Sequence, residues 1–156
     1  MILGTNANEG ASFVTYNATN PNLTAFALTT VGTFTCPAAK VSNYRVTANT
    51  APTFRYQYAG NFTNVSSLWW MGAYHSSELP LLFGTHGDFR GASTPFESRL
   101  SATMQDLWVA FAKDGAAGIT AKGWPKYSAN GSALQFGKDD ILTQAVSNTI
   151  IDAACP

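Results

Sequence analysis

His75 lies in Met71-Gly72-Ala73-Tyr74-His75-Ser76-Ser77-Glu78-Leu79-Pro80-Leu81-Leu82-Phe83-Gly84, between a small-residue turn and an apolar run. An imidazole titrates near pH ~6.5, so it can take up and return a proton at neutral pH. Glu9 lies in Ile2-Leu3-Gly4-Thr5-Asn6-Ala7-Asn8-Glu9-Gly10, which reads as a short apolar strand ending in a polar loop. A carboxylate on one loop and a histidine on a later loop are two parts of a hydrolytic triad. A serine hydroxyl is a poor nucleophile until a base takes its proton. The carboxylate holds that base in the correct tautomer and stabilises the imidazolium. One chain order for such triads is serine, then Asp or Glu, then histidine. In that order the serine partner of Glu9 and His75 falls before residue 1, and the chain reads as the back half of an enzyme.

No serine inside the chain fits the nucleophile's position. A G-x-S-x-G elbow needs glycine on both sides because the turn is tight. Gly10-Ala11-Ser12-Phe13-Val14 and Gly91-Ala92-Ser93-Thr94-Pro95 each have only the first glycine. The chain alone is therefore expected to lack hydrolytic turnover. His86, Asp88 and Glu78 form a loose polar group in which a metal site can be drawn, but they read first as a solvated loop. Glu78 either holds the histidine loop by accepting hydrogen bonds or lies at the surface. Trp69-Trp70 either lines an acyl pocket or packs around the loop, and packing is the reading taken.

The elements that must position these residues follow from periodicity and turn chemistry. A strand is predicted near residues 2–5. Residues 17–24, rich in Asn and Thr with Pro21, read as a surface loop. Residues 25–42 form helix on either side of Cys36-Pro37. Thr53 to Tyr58 has strand-like density of β-branched and aromatic residues, and Pro52 marks its start. Thr94-Pro95-Phe96-Glu97 is a capping box with proline at the first helical position. Leu100, Met104, Leu107, Trp108 and Phe111 then recur on one helical face. Gly115 is the expected stop. Leu134 to Phe136 is a late strand, and a short helix precedes Cys155. This order predicts an α/β fold, a partial and mostly parallel sheet with covering helices. Sites in such sheets lie beyond the carboxyl ends of the strands, where the loops of Glu9 and His75 both emerge.

The chain resembles the type-B carboxylesterases, a family that includes fungal secreted esterases and lipases and the cholinesterases. Leu3-Gly4-Thr5-Asn6-Ala7-Asn8-Glu9-Gly10 is similar to the family's acid loop, and Met71 to Gly84 to its histidine loop. Thr35-Cys36-Pro37, Phe54-Arg55-Tyr56-Gln57-Tyr58, Met104 to Ala112 and Gly123-Trp124-Pro125 match further blocks in the right order. Tyr58-Ala59-Gly60-Asn61-Phe62-Thr63 and His75-Ser76-Ser77-Glu78-Leu79-Pro80 have the fungal flavour. The resemblance implies Glu9 and His75 as catalytic acid and base, and a lipid or small-molecule carboxylic ester as substrate. It implies that residues 1–156 are the C-terminal part of an α/β-hydrolase fold, with the missing N-terminal half of the same domain as partner. It also implies a Cys36–Cys155 disulfide, where the residues alone leave open two buried thiols. The nucleophile elbow and the glycine-rich oxyanion loop are absent. The segment from Glu9 to Cys36 is shorter than in the cholinesterase branch.

Composition narrows the remaining classes. The 156 residues carry 12% charged side chains and no formal net charge, so nothing points to nucleic acid or an anionic membrane. No apolar run approaches the ~20 residues that span a bilayer. No cofactor or structural metal is expected, since no Cys/His cluster occurs. Sequons at Asn17, Asn22, Asn61, Asn64 and Asn130 exceed the about two expected by chance and favour a secreted glycoprotein. A secretory leader is not visible, which for a C-terminal piece says nothing about secretion. The competing readings are a non-catalytic cholinesterase-like adhesion module and a truncated gene product without independent function.

Overall fold

The computed structural model describes residues 1–49 and 51–156. Strand β1 (Ile2–Asn6) pairs in parallel with β2 (Phe54–Tyr58), running from Ile2 opposite Phe54 to Asn6 opposite Tyr58. β3 (Ser132–Phe136) adds in parallel to β2. β4 (Thr143–Ser147) then returns antiparallel to β3, so the sheet order is β1-β2-β3-β4. The mostly parallel sheet expected from the sequence thus has one antiparallel edge. β4 escaped the sequence reading because Thr-Gln-Ala-Val-Ser lacks a strong apolar alternation, as its half-exposed position requires.

The aligned ends of β1 and β2 matter most for the site. With Asn6 opposite Tyr58, both chains leave the sheet at the same level. The Ala7 N–H continues the ladder by donating to the Tyr58 carbonyl at 2.8 Å. The loops after the two strands therefore start side by side.

Between β1 and β2 the chain is helical: α1 (Leu23–Thr29), a π-helical turn (Thr30–Thr35) and α2 (Cys36–Thr47) follow without a break. The two separate helices anticipated around Cys36-Pro37 are one run with a widened turn in its middle. Pro37 has no N–H and its ring would crowd the carbonyl four residues back. A π turn lodges an extra residue just before it, which lets the helix pass through the proline.

After β2 come the short helix α3 (Leu79–Leu82) and the long helix α4 (Pro95–Ala121). The capping box at the start of α4 is present in both directions. The Glu97 N–H donates to the Thr94 hydroxyl at 3.0 Å, and the Thr94 N–H donates to the Glu97 carboxylate at 3.3 Å. Leu100, Met104 and Leu107 are buried, with Trp108 and Phe111 packed beside them. Gly115 does interrupt the helix, at φ 58° and ψ −138°, and a second helical stretch runs on from this kink to Ala121. Ile119, in that second stretch, is fully buried. The α4 face and the β2–β3 face enclose an aromatic core in which the rings of Tyr56, Trp108, Trp124 and Phe136 meet at 5.2–6.4 Å.

Two tethers fix the C-terminus, which ends in α5 (Asn148–Ile151) and the turn after it. Arg55, 1% exposed in β2, makes a two-pronged ion pair with Asp152 at 2.5 and 2.6 Å. Cys155 forms a disulfide with Cys36 at the start of α2, across a sequence separation of 119 residues. A cross-link over so long a loop restricts the unfolded chain strongly. The double substitution Cys36→Ser/Cys155→Ser is expected to cost about 2–5 kcal/mol, read as a lower urea midpoint. An unchanged midpoint would show that the ion pair and core hold the C-terminus without it.

Candidate functional site

Glu9 opens a 3₁₀ turn (Glu9–Ser12) that follows directly from the polar end of β1. The loop is held from both sides. The Asn8 N–H donates to the Ala73 carbonyl at 2.9 Å, and the Asn8 amide donates to the carbonyls of Trp70 and Met71. Gly10 packs against α1 so closely that a Cβ there would lie 2.1 Å from the Phe26 carbonyl oxygen. Its N–H donates to the Thr30 hydroxyl at 2.9 Å. The acid loop is thus wedged between the histidine loop and the α1–π turn junction.

The Glu9 side chain is buried. One carboxylate oxygen accepts the Asn6 N–H at 2.7 Å, and the other lies 2.6 Å from His75 Nδ1. Burial raises the Glu9 pKa above its ordinary value; the Asn6 and His75 hydrogen bonds oppose that shift without cancelling it, and Glu78 adds to it. His75 lies on the loop between β2 and α3. The loop turns at Gly72 with φ 50° and at Ser76 with φ 69°. The second angle is unusual for a residue with a Cβ and persists only where neighbours over-determine it. Here the neighbours are Ser66 and Asn6. Ser66 donates to the Gly72 carbonyl, and Asn6 donates its side-chain amide to both the Tyr74 carbonyl and the Glu78 carboxylate. Glu78 therefore does hold the loop, through Asn6.

The His75 ring is flanked by Phe13 at 5.0 Å and Phe34 at 5.1 Å between centroids. Its side chain is 42% exposed. Nε2 has no hydrogen-bond partner among the described residues. With Glu9 ionised, the proton of the neutral ring belongs on Nδ1 and the lone pair on Nε2. That is the form in which an imidazole accepts a proton from an approaching hydroxyl. The structure thus brings together the two residues singled out from sequence. The sequence reading gave no role to Asn6, Phe13 or Phe34. Asn6 occupies the last position of β1, where a side-chain amide could bridge two loops. Phe34 sits in the π turn, which no periodicity announces.

The other polar candidates separate from this pair. His86 is not solvated: it lies beside Ser93 at 2.5 Å and near the buried Glu97 at 3.8 Å, under Asn64. Both contacts use the same ring nitrogen, Nδ1. A triad needs the hydroxyl and the carboxylate on opposite nitrogens, so Ser93 and His86 do not form a second one. Asp88 is exposed. Among the described residues no group of His, Cys, Asp and Glu could hold a metal ion. Trp70 is buried, whereas Trp69 is exposed. Tyr16, Trp70, Met71, Tyr74 and Arg90 contribute to a cleft of about 450 Å³ beside the two loops. No helix among the described residues is long and apolar enough to cross a membrane.

Comparison with known proteins shows the family. The family model described as the carboxylesterase family matches residues 15–152, a segment that includes His75 and begins just after Glu9. The chain is 42% identical over 138 residues to Secreted lipase 5 of Gibberella zeae, covering 81% of this chain and 25% of that protein. It is 44% identical over 124 residues to the chlorogenic acid esterase of Aspergillus niger, covering 74% of this chain and 24% of that one. The chain thus spans about a quarter of the length of the curated relatives it matches. It belongs to the carboxylesterase family, and its mixed sheet and helices are those of a partial α/β-hydrolase fold.

Glu9→Gln tests the electrostatics of the pair. The amide can keep the bond from Asn6 but turns an N–H toward His75 Nδ1, so the ring proton should move to Nε2. Nitrogen NMR of the imidazole is expected to show that switch of tautomer. A proton remaining on Nδ1 would mean the carboxylate does not set the tautomer. The same variant has a pH signature. A carboxyl with a raised folded pKa binds its proton more tightly when folded, so stability falls as pH rises through that window. Glu9→Gln removes the ionised form. Its melting temperature should match or exceed the parent's above that window, with the difference closing as pH falls through the Glu9 pKa.

Proposed function

We propose that this chain supplies the acid and the histidine of a serine carboxylesterase, and that the nucleophile comes from another segment of the same domain. The observation that carries the reading is the contact of the buried Glu9 carboxylate with His75 Nδ1, which leaves Nε2 without a partner among the described residues. In the proposed cycle Nε2 takes the proton of the serine hydroxyl as its oxygen attacks the ester carbonyl. His75, now an imidazolium held by Glu9, returns that proton to the leaving alcohol. Water then repeats the sequence on the acyl-enzyme and releases the acid. An adhesion module requires no such carboxylate–imidazole pair, and the pair therefore favours the enzyme.

Two further parts belong to the proposal. The first is the role of residues 1–156 as a C-terminal segment, which the quarter-length match to the relatives supports. The second is a secreted glycoprotein, supported by the disulfide, which forms and persists in oxidising compartments, and by a relative described as a secreted lipase. The substrate class is a carboxylic ester.

The test is complementation. Purified alone, the chain should not turn over a p-nitrophenyl ester. Co-expressed with the serine-bearing segment of its domain, it should restore turnover. His75→Ala should then abolish it, and Glu9→Gln should lower it by about 10⁴-fold, the scale seen when a triad carboxylate becomes an amide. Turnover by the isolated chain that disappears in His75→Ala would place a nucleophile within residues 1–156 and overturn the divided triad.

A further inference from the structure

Each sequon offers the same sequence signal, but the structure sets Asn17, Asn22 and Asn64 apart by which amide atom each uses. N-glycosylation alters the side-chain nitrogen and leaves the oxygen free to accept. An asparagine whose structural role runs through Oδ1 can therefore carry a glycan and keep that role. One whose role runs through Nδ2 cannot.

Asn17 and Asn22 are of the first kind. Both are exposed, in the segment Asn17-Ala18-Thr19-Asn20-Pro21-Asn22-Leu23-Thr24, a loop that leads into the first turn of α1. Asn17 Oδ1 accepts the N–H groups of Thr19 at 3.1 Å and Asn20 at 2.9 Å, and the Thr19 hydroxyl at 3.4 Å. Asn22 Oδ1 accepts the Ala25 N–H at 3.0 Å and caps α1. Among the described residues neither nitrogen has a partner. Asn64 is of the second kind. It is 6% exposed, and its nitrogen donates to the His86 carbonyl at 3.1 Å, to Glu97 at 3.0 Å and to Ser93 at 3.4 Å. A substituted nitrogen would retain one N–H, there is no room for a sugar, and the buried Glu97 would lose a donor.

We propose that the Asn17–Thr24 loop is an N-glycan attachment segment, with Asn17 and Asn22 as acceptors, and that Asn64 is a silent sequon in the folded protein. The donor is a polyprenyl diphosphate-linked oligosaccharide. The asparagine nitrogen bonds to C1 of the sugar, the C1–O bond to diphosphate breaks, one amide proton is lost, and the lipid diphosphate leaves. The glycan's position has a physical consequence. Tyr16 and Leu23, in and beside this loop, are exposed apolar side chains, and a sugar there would cover them. The Ala18 carbonyl accepts the Trp70 indole N–H at 3.1 Å, so the glycosylated loop would also flank the cleft beside the histidine loop. The proposal rests on the secretory location proposed above and is independent of the esterase chemistry.

The experiment is site mapping on the whole protein secreted from a yeast host, with the Cys36–Cys155 peptide confirming passage through an oxidising compartment. Enzymatic glycan release in heavy-oxygen water marks each formerly modified asparagine as labelled aspartate. Label is expected at Asn17 and Asn22 and absent from Asn64. Thr19→Ala and Thr24→Ala keep both asparagines but destroy their sequons, and each should remove one glycan mass. Label on Asn64 in folded protein overturns the nitrogen criterion. A disulfide-bonded, secreted protein with Asn17 and Asn22 both bare overturns the attachment segment while leaving the secreted location standing.

Discussion

The carboxyl end of the sheet is organised around one buried carboxylate. Glu9 is 4% exposed, and an ionised carboxylate taken out of water without partners costs several kcal/mol. Hydrogen bonds to a charged group return roughly 1.5–3 kcal/mol each. Glu9 has two, from the Asn6 N–H and from His75. The balance is close, which is why burial still raises its pKa. The contact with His75 is thus one of two interactions that make the burial tolerable. The Asn6 bond forms within the acid loop, but the fold must hold the two loops in register for the His75 contact to form. Parallel pairing of β1 with β2 does this first, and Asn6 and Asn8 do it again beyond the ladder.

The remoter architecture keeps that register from drifting. α4 covers the sheet through Leu100, Met104 and Leu107, and its capped start anchors the turn that follows the histidine loop. The π turn between α1 and α2 supplies Phe34 to one side of the His75 ring while the acid loop supplies Phe13. α2 is tied at its first residue to the C-terminus by the disulfide, and the C-terminus is tied to β2 by Arg55 and Asp152. The strand that leads to His75 and the helix that follows Phe34 therefore share one brace, the C-terminal turn.

Much of this frame is legible in the chain because the signals are local. Thr94, Pro95 and Glu97 specify a helix start by hydrogen-bond chemistry that needs no tertiary context. The spacing of Leu100, Met104, Leu107, Trp108 and Phe111 specifies its buried face. Residues 2–5 and 53–58 read as strands from composition and flanking turns. The pairing of Cys36 with Cys155, and of Glu9 with His75, came from family resemblance, since spacing alone cannot bring residues 119 or 66 positions apart together. What stayed hidden depends on partners far along the chain. The helical stretch that resumes after Gly115 carries the buried Ile119, which no periodicity before the break announces. The π turn follows from how a helix accommodates Pro37. β4 exists because β3 offers it an edge, and Arg55 is tolerable inside because Asp152 reaches it.

The two histidines show why residue type is not enough to find a site. Each has a carboxylate and aromatic or hydroxyl neighbours within reach. His86 uses Nδ1 toward both Ser93 and Glu97 and lies 13% exposed in a closed polar cluster, with Asn64 above it and the α4 cap below. Its partners satisfy one another, and that arrangement stiffens the turn into α4. His75 divides its nitrogens. Nδ1 goes to a fixed, buried carboxylate and Nε2 to the open side of a half-exposed ring. A base must have an oriented proton on one face and an unclaimed lone pair on the other. Of the two, His75 alone meets both conditions. It meets them because Gly10 and Asn6 wedge the acid in place against the histidine loop.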